Sequence, residues 1–525
     1  MANAKTTQKV IKILKDLEDS TNTDTQAFLL DQLPEFFETI HAKDMQEKAA
    51  KLVCDYFADH EEKPSVSAGA VLYAWAKYLV TEEALVDETF LPELYRLAFR
   101  AYSRFTRSHH PNALAALRRC RDILSVVYGV DPKTAYALGF TSIKQVALHT
   151  KRALTSRKQG QGISTLISWR IVGSLRLWTE VSCAHASDAH MGQLVFPITE
   201  LILGILRAIP STLLNAPAVL HLVALANMLA KASEYYVPVF APILMLLDLP
   251  DLRKKPKTMS GDRAALADLS HLIALGKKDT QSSMVMDTVV KDSLFLITEA
   301  FAAQAHLAAF PELTYGVVPR LRRLAKSMDE KSFTKKYGMQ IMSTVSTIDA
   351  HTTWVLKQRD EANISPRDAA VADFEAKLKG QAHPLAKAMA RAMKARQSEH
   401  RVRIESDVVL GSDGEEASDD DDEFAAHTKG KRAKVDQDKA EEEEDMKVKS
   451  QKVSFSDDDD EDAVEEPVKK GKHANAGSTG SLLLKPKPKA NAEKEPKVRG
   501  KATKRKKANA KVDIVEEMRL SDMSD

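Results

Sequence analysis

Apolar residues recur at every third or fourth position through most of the first 396 residues, and this spacing constrains the fold more than any other feature. Three sets show it most clearly: Ile167, Ile171, Leu175, Trp178 and Val181; Met286, Val290, Leu294, Ile297 and Phe301; and Val71, Trp75 and Leu79. A helical period of 3.6 residues places each set on one face of a helix. Runs that alternate with period two between hairpin turns are not found in the sequence. The pattern therefore predicts an all-α fold.

Prolines divide the most apolar stretch, residues 194–252, into segments of about one helix each. They are Pro197, Pro210, Pro217, Pro238, Pro242 and Pro250. Short helices that are apolar on more than one face are typical of a HEAT- or armadillo-like solenoid, in which each helix packs on a hairpin partner and on the next repeat. No strict repeat period is readable, so an irregular helical bundle also fits. Of the two, we expect the solenoid.

Aromatic residues almost disappear near residue 400. Of 17 Phe, 11 Tyr and 4 Trp, only Phe424 and Phe455 lie beyond that point. A segment with so little apolar surface cannot offset the entropy of ordering its chain. We therefore predict an N-terminal helical region at 1–125, a helical repeat domain at 126–396 and a disordered charged tail at 397–525.

The tail contains two blocks of opposite charge. Residues 405–466 hold 25 acidic and 8 basic residues, whereas residues 467–511 hold 15 basic and 2 acidic residues. Two basic clusters are typical of nuclear import signals or of electrostatic, sequence-independent RNA contacts: Lys431, Arg432 and Lys434, and Lys504, Arg505, Lys506 and Lys507. Four serines have an acidic residue three positions later and are candidate phosphorylation sites: Ser412, Ser418, Ser454 and Ser456. A purely solubilising tail is the alternative.

Catalytic and metal-binding patterns are weak. Gly160-Gln161-Gly162 follows no predicted strand and lacks the Lys-Ser/Thr of a phosphate-binding loop, so we interpret it as a turn. Cys183, His185 and His190 lack a fourth ligand and are interpreted as a helix end and its loop. The three widely spaced cysteines indicate a reducing compartment. We expect no enzyme activity, no cofactor and no metal.

The apolar stretch Leu213–Ala230 has about the length of a membrane span. Asn215, Pro217, His221 and Asn227 interrupt it. It is therefore interpreted as a buried helix, and no membrane is expected among the partners.

Several segments resemble the nucleolar complex protein 2 family. An apolar helix that includes Trp169 and ends in Trp178 is followed by a turn at Val195-Phe196-Pro197-Ile198 and a helix that closes in Ile209-Pro210. Val237-Pro238 precedes another helix. Phe310-Pro311-Glu312-Leu313 is similar to a family turn, and Trp354 to Phe374, with Arg359 and Ser365-Pro366-Arg367-Asp368, resembles the closing segment. The resemblance covers roughly residues 126–374.

The resemblance implies a non-catalytic nucleolar and nuclear factor that supports assembly and export of the large ribosomal subunit. The expected partners are nucleolar complex proteins 1 and 3, in heterodimers, together with pre-60S particles and rRNA. Two features depart from the family pattern: the basic loop at 250–278 and a charged tail that follows the domain. The alternatives are a chromatin factor or histone chaperone with an acidic tail, and a nuclear-transport adaptor.

Residues 163–313 contain few lysines outside one loop with Lys254 and Lys255. Tight RNA binding needs many phosphate contacts, so we expect this region to serve a protein partner. Trp178, Phe196 and Phe310 are each interpreted first as core residues. The helices that they anchor are then expected to build the interface.

Overall fold

The structure, a computed structural model, describes residues 2–40, 43–81, 90–108, 113–155, 161–256, 268–363, 370–379 and 381–411. These ranges contain α-helices and short 3-10 turns and no strand, which confirms the all-α prediction. The helices are α1 (Ala2–Asp19), α2 (Thr23–Gln32), α3 (Lys43–Phe57), α4 (Glu62–Thr81), α5 (Phe90–Phe105), α6 (Leu114–Tyr128), α7 (Pro132–Thr155), α8 (Gln161–Leu166), α9 (Trp169–Ala184), α10 (Val195–Ala208), α11 (Ala216–Ser233), α12 (Phe240–Leu247), α13 (Ser283–Ala303), α14 (Phe310–Thr314), α15 (Val318–Asp329), α16 (Lys335–Ala362), α17 (Ala370–Lys379) and α18 (Pro384–Gly411).

Twelve of these helices form two rows. In row A, the helices α4, α6, α9, α11, α13 and α16 each contact the next. In row B, α3, α5, α7 and α10 contact one another in that order, and α12 contacts α15. Between the rows, α3 packs on α4, α5 on α6, α7 on α9, α10 on α11, α12 on α13 and α15 on α16. A solenoid needs such stacked helical pairs, but the assignment to HEAT- or armadillo-like repeats stays a prediction.

The apolar sets found in the sequence form the inner faces of these helices. In α13, all five residues of the predicted set, from Met286 to Phe301, are buried. In α9, Ile171, Leu175, Trp178 and Val181 are buried, while Ile167 lies just before the helix and is half-buried. Helices in row A contact neighbours on several sides, so their burial extends beyond one narrow face.

Prolines begin helices in the region where the sequence suggested breaks. Pro197, Pro217 and Pro242 lie in the first turns of α10, α11 and α12. A proline in the first turn loses no hydrogen bond, because the first amide groups of a helix have no partner within it. Pro210 and Pro238 lie in the connections on either side of α11.

Trp178 is the buried centre of the first half of the rows. Its ring stacks on Tyr128 of α6 with 5.4 Å between ring centroids and lies 5.8 Å from the ring of Phe99 of α5. On another side it meets the backbone of α7 at Gly139, where a Cβ atom would lie 2.9 Å from two ring carbons. One side chain thus joins α9 to three other helices.

A second aromatic cluster joins the later helices. Centroid distances are 4.4 Å for Phe240 and Phe301, 5.7 Å for Phe301 and Phe310, 4.5 Å for Phe310 and His351, and 5.4 Å for His351 and Trp354. His351 is buried, with its Nε2 2.9 Å from the carbonyl oxygen of Ala305. Burial lowers the pKa of His351 to about 4. The ring is therefore neutral at physiological pH.

Two segments are long and apolar enough to cross a membrane, Met191–Ala208 and Leu213–Ser233. More than half of each is buried in the fold, and α10 and α11 pack on each other and on α9. This packing supports the interpretation of Leu213–Ala230 as a buried helix.

The predicted boundaries fall inside helices. Residues 125 and 126 both belong to α6, and α18 continues past residue 396 to Gly411. Residues 396–411 contain no proline and no glycine before Gly411, so nothing in the local sequence ends the helix at 396. The three-part division stays a prediction, and the rest of the tail lies outside the described residues.

We predict that alanine substitutions at two helical glycines change the free energy of unfolding in opposite directions. A Cβ at Gly139 would meet Trp178 at 2.9 Å and Leu194 at 3.0 Å, so Gly139→Ala should lower the free energy of unfolding by roughly 1–3 kcal/mol. Gly204 of α10 has no atom within 4 Å of its Cβ position, so Gly204→Ala should raise it by roughly 0.5–1 kcal/mol. Urea denaturation followed by circular dichroism measures both. Equal effects would contradict the packing around Trp178.

The second prediction concerns the stability of the fold at acidic pH. Because the pKa of His351 falls from 6.5 to about 4 on folding, the unfolded chain binds this proton more readily between those pH values. The contribution of His351 to the free energy of unfolding is therefore complete above pH 6.5 and is lost as the pH falls towards 4. Between about pH 7 and pH 5 the free energy of unfolding should fall by roughly 2 kcal/mol through this residue. The free energy of unfolding should fall less between pH 7 and pH 5 in the His351→Gln variant than in the unmodified chain. If it fell equally in both, groups other than His351 would be the cause.

Candidate interaction surface

The aromatic residues of the family-like motifs divide into buried and exposed ones. Trp178 and Phe310 are buried, as interpreted from the sequence. Trp169 and Trp354 are half-buried, and the Trp169 ring lies 5.1 Å from the His221 ring. Phe196 is 73% exposed, so its interpretation as a core residue is wrong. In α10 it lies on the side away from Ile198 and Ile202, which are buried.

The motif prolines shape the chain. Pro197 and Pro311 lie in the first turns of α10 and α14, whereas Pro210 follows α10 and Pro238 precedes α12. A proline fixes its own φ angle and disfavours helix in the residue before it. The structural positions of these residues explain their presence without any role in binding.

The Phe310-Pro311-Glu312-Leu313 turn is held against α16. Arg359 Nη1 lies 2.8 Å from Glu312 Oε1 and donates a hydrogen bond to the carbonyl oxygen of Ala308 at 3.3 Å. Leu313 is half-buried. Two motif segments that lie 47 residues apart in the sequence, around Glu312 and Arg359, are thus brought together, while the segment Ser365–Asp368 lies outside the described residues.

Two exposed phenylalanines lie on two helices of row B that contact each other, Phe140 on α7 and Phe196 on α10. Phe140 is 47% exposed and stacks on Tyr136 at 6.0 Å. A Cβ atom added at Gly139 would lie 3.0 Å from Leu194 Cδ1, so α7 packs closely on Leu194. Phe140 directly follows Gly139, and Phe196 comes two residues after Leu194. Each of the two exposed phenylalanines is therefore close in sequence to one contact between α7 and the start of α10. We call Tyr136, Phe140 and Phe196 the aromatic patch.

Sequence reasoning missed Phe140 and Tyr136. Their spacing of four residues puts them on one face of α7, and α7 contains no acidic residue. An apolar pair on an exposed helix face was therefore readable from the sequence. It was not distinguishable from a core pair, because the sequence does not show which face a neighbouring helix covers.

A largely buried ion network includes Arg176 and Glu180, which lie two residues before and two residues after Trp178 in α9. Arg121 Nε is 2.6 Å from Glu180 Oε2, and Arg176 Nε is 3.4 Å from Glu180 Oε1. Arg121 and Glu180 link α6 to α9, and a charge removed from either partner would leave the other buried without its counterion. The network links two neighbouring helices of row A and lies mostly away from solvent.

The Cys183 and His185 side chains have separate partners. Cys183 Sγ contacts the carbonyl oxygen of Met228 at 3.6 Å, and His185 Nε2 lies 2.8 Å from that of Ser125. Among the described residues, no group of three or more His, Cys, Asp or Glu side chains is placed to hold a metal ion. Burial raises the pKa of the Cys120 thiol to about 12 and that of Cys183 to about 11, so both stay protonated at neutral pH.

The tail sites lie outside the described residues. They are Lys431, Arg432, Lys434, Lys504, Arg505, Lys506 and Lys507, and the serines Ser412, Ser418, Ser454 and Ser456. Gln161 and Gly162 begin α8, so their interpretation as part of a turn is wrong, while Gly160 is also outside the described residues. The roles of all these residues stay predictions.

Comparison with known proteins matches the helical region from α5 onwards. The model of the Noc2p family matches residues 89–392, which extend from the start of α5 into α18. The match includes the aromatic patch, both buried aromatic clusters and the turn at Phe310. It is broader than the region of resemblance read from the sequence.

Three relatives align with over half of this chain. Nucleolar complex-associated protein 2 of Arabidopsis thaliana is 26% identical over 300 residues, which cover 56% of this chain and 38% of the relative. Nucleolar complex protein 2 of Drosophila melanogaster is 24% identical, with 57% and 38% covered. The Caenorhabditis elegans nucleolar complex protein 2 homolog is 22% identical, with 54% and 41% covered.

The aligned part spans about two fifths of the length of these relatives. The family model nevertheless covers more than half of this chain, and the segments that carried the resemblance lie within it. The chain belongs to the Noc2p family.

Proposed function

We propose that this chain is a non-catalytic nucleolar assembly factor for the large ribosomal subunit. Membership of the Noc2p family and the names of its relatives support a nucleolar, and therefore nuclear, location and a part in ribosome biogenesis. Two rows of stacked helices offer extended surfaces to other chains. The chain acts as a scaffold that holds other factors.

The aromatic patch is the observation that carries the proposal. Phe196 is 73% exposed although it lies in the family region and next to a well-packed helix contact. Exposed apolar surface on a rigid element is typical of a protein interface. Such interfaces derive most of their binding energy from a few aromatic anchors.

The proposed partners are nucleolar complex proteins 1 and 3, each in a heterodimer with this chain. The heterodimers act on pre-60S particles and support rRNA processing, maturation and export. The relatives' names refer to a nucleolar complex, which supports assembly with other proteins. The aromatic patch is the surface through which we expect one of these partners to bind.

Contact with rRNA is proposed for the basic clusters of the tail. Lysine-rich segments without aromatic residues bind phosphates electrostatically and without sequence preference. Phosphorylation in the acidic block would add negative charge and weaken that contact. The two blocks of the tail would then engage different partners.

Sedimentation separates this proposal from a histone chaperone. An assembly factor should migrate with pre-ribosomal particles and leave them when rRNA is digested. A histone chaperone should instead remain with histones, which the acidic residues 418–423 would bind. A nuclear-transport adaptor should respond to the transport GTPase.

We predict that Phe196→Ser in the full chain disrupts binding to nucleolar complex protein 1 or 3. Removal of an interface anchor should lower the affinity by roughly thirtyfold or more. Because Phe196 is mostly exposed, the thermal stability should change little. Co-purification after nuclease treatment and in high salt measures the effect.

Tyr315→Ser is the matched control, because Tyr315 is 84% exposed and follows α14, which packs on α16, the last helix of row A. It should leave binding unchanged. If the unmodified chain loses both partners after nuclease treatment while it remains folded, RNA mediated the contact and the proposed protein interface is wrong.

We also predict that replacing Lys504, Arg505, Lys506 and Lys507 by Ala reduces nucleolar accumulation. These residues form the densest basic cluster of the tail, and import receptors recognise such clusters by charge. Fluorescence microscopy of tagged chains measures the change. Unchanged localisation, with Lys431 and Arg432 also replaced, would contradict the prediction.

A further inference from the structure

Helix α16 is the last helix of row A, and one side of it is exposed along its whole length. It packs on α13, α14 and α15, and Ile341, Val345, Ile348 and Val355 are buried there. The exposed residues recur at steps of three and four, which places them on one face of the helix. They are Lys335, Met339, Met342, Ser346, Ala350, Thr353, Leu356 and Asp360. We call them the end face.

The middle of the end face is uncharged and partly apolar. Met339 is 60% exposed, Met342 45% and Leu356 42%. Between residues 337 and 356, the only Asp, Glu, Lys or Arg is Asp349, which pairs with α15. The outer helix of a stack normally has a polar outer face, because that face meets water. An exposed apolar face at the end of a row is instead typical of a surface that another chain covers.

The neighbouring helix α15 has the opposite kind of surface. Arg320, Arg323 and Lys326 are all exposed within its 12 residues. Such a charged face is typical of a helix side that stays in water. The lack of charge on the end face is therefore a property of α16 and not of this whole end of the fold.

The charges of α16 lie at its two ends, with the signs that the helix dipole disfavours. Lys335 and Lys336 lie in the first turn, where acidic residues are favoured, and Asp360 and Glu361 lie near the last residue, where basic ones are favoured. Lys336 and Arg359 form ion pairs with neighbouring helices. Among the described residues, Lys335 and Asp360 form no ion pair.

The end face has the same spacing when it is read from either end. Apolar residues come four and seven positions after Lys335, and Leu356 and Thr353 come four and seven positions before Asp360. Two copies of α16 packed antiparallel across a two-fold axis would therefore bring three kinds of pair together. They are Lys335 with Asp360, Met339 with Leu356, and Met342 with Thr353. Small residues, Ser346 and Ala350, lie near the axis, where they let the two helices approach closely.

We infer that the end face binds the end face of a second copy of this chain. Charge complementarity selects this occupant, because the basic first turn of each copy meets the acidic last turn of the other. The antiparallel arrangement also places each disfavoured charge beside the end of the partner helix that favours it. The aromatic patch lies on α7 and α10, so the dimer uses another surface and goes beyond the proposed heterodimers.

Sedimentation velocity of the full chain measures the self-association. A single helix face buries less than the roughly 1,600 Å² of a standard interface, so we expect a weak dimer with a dissociation constant in the micromolar range. The sedimentation coefficient should therefore rise between about 1 and 100 µM protein. A chain that stays monomeric over this range would overturn the inference, because the end face would then have to be covered by another protein.

Exchange of the end charges tests the arrangement of the two helices. Lys335→Glu and Asp360→Lys each turn two attractive contacts of the dimer into repulsive ones, so each variant alone should dimerise at least about tenfold more weakly. An equal mixture of the two variants should regain the original affinity, because every end contact is again between opposite charges. Both substitutions suit the helix dipole, so the melting temperature should not fall. A mixture that stays monomeric while the unmodified chain dimerises would show that another surface, such as the charged tail, makes the contact.

The matched control is Lys326→Glu on α15, which makes the same change of charge at an exposed position outside the end face. It should leave the dimer unchanged, and a loss equal to that of Lys335→Glu would mean that only net charge matters. Cysteine cross-linking gives a second readout: Ser346→Cys, close to the two-fold axis, should form a disulfide-linked dimer under mild oxidation, whereas Lys326→Cys should not. Equal cross-linking at both positions would contradict the proposed pairing.

Discussion

The Trp178 ring fixes how four helices fit together. It contacts Phe99 of α5, Tyr128 of α6 and the backbone of α7 at Gly139. A flat ring in a close-packed interior allows little sliding between its neighbours. The rotation of α7 about its own axis is thereby fixed, and with it the residues that α7 turns towards solvent.

Residues next to these packing contacts supply the surfaces that are available for binding. Phe140 follows Gly139, and Phe196 lies two residues beyond Leu194. A helix that is packed on several sides exposes only a narrow stripe of its surface. The positions of its buried residues therefore determine which residues face solvent. The motif tryptophans are therefore structural, and they position their neighbours.

Helices were predictable where the apolar period was strong. The sets in α9 and α13 identified both helices, and the prolines of residues 194–252 marked helix starts because a proline is tolerated in a first turn. Phe196 was misjudged because its apolar neighbours in sequence lie on another face of α10. The Glu180 network was missed because only the packing of α6 on α9 brings Arg121 and Glu180 together.

Helix α7 has a mechanical consequence for any complex that this chain enters. Its 24 residues form a rod of about 36 Å. The first half carries the rings of Tyr136 and Phe140, and the last turns carry the exposed cations Lys151 and Arg152. A ligand bound at one end holds the other end at a fixed distance and orientation, with no flexible linker between the two. Two weak contacts made on such a rod act as one bivalent attachment, whose strength depends on whether the spacing of the targets matches the rod. Geometry, more than the affinity of either end, would then select the assembly intermediate that is recognised.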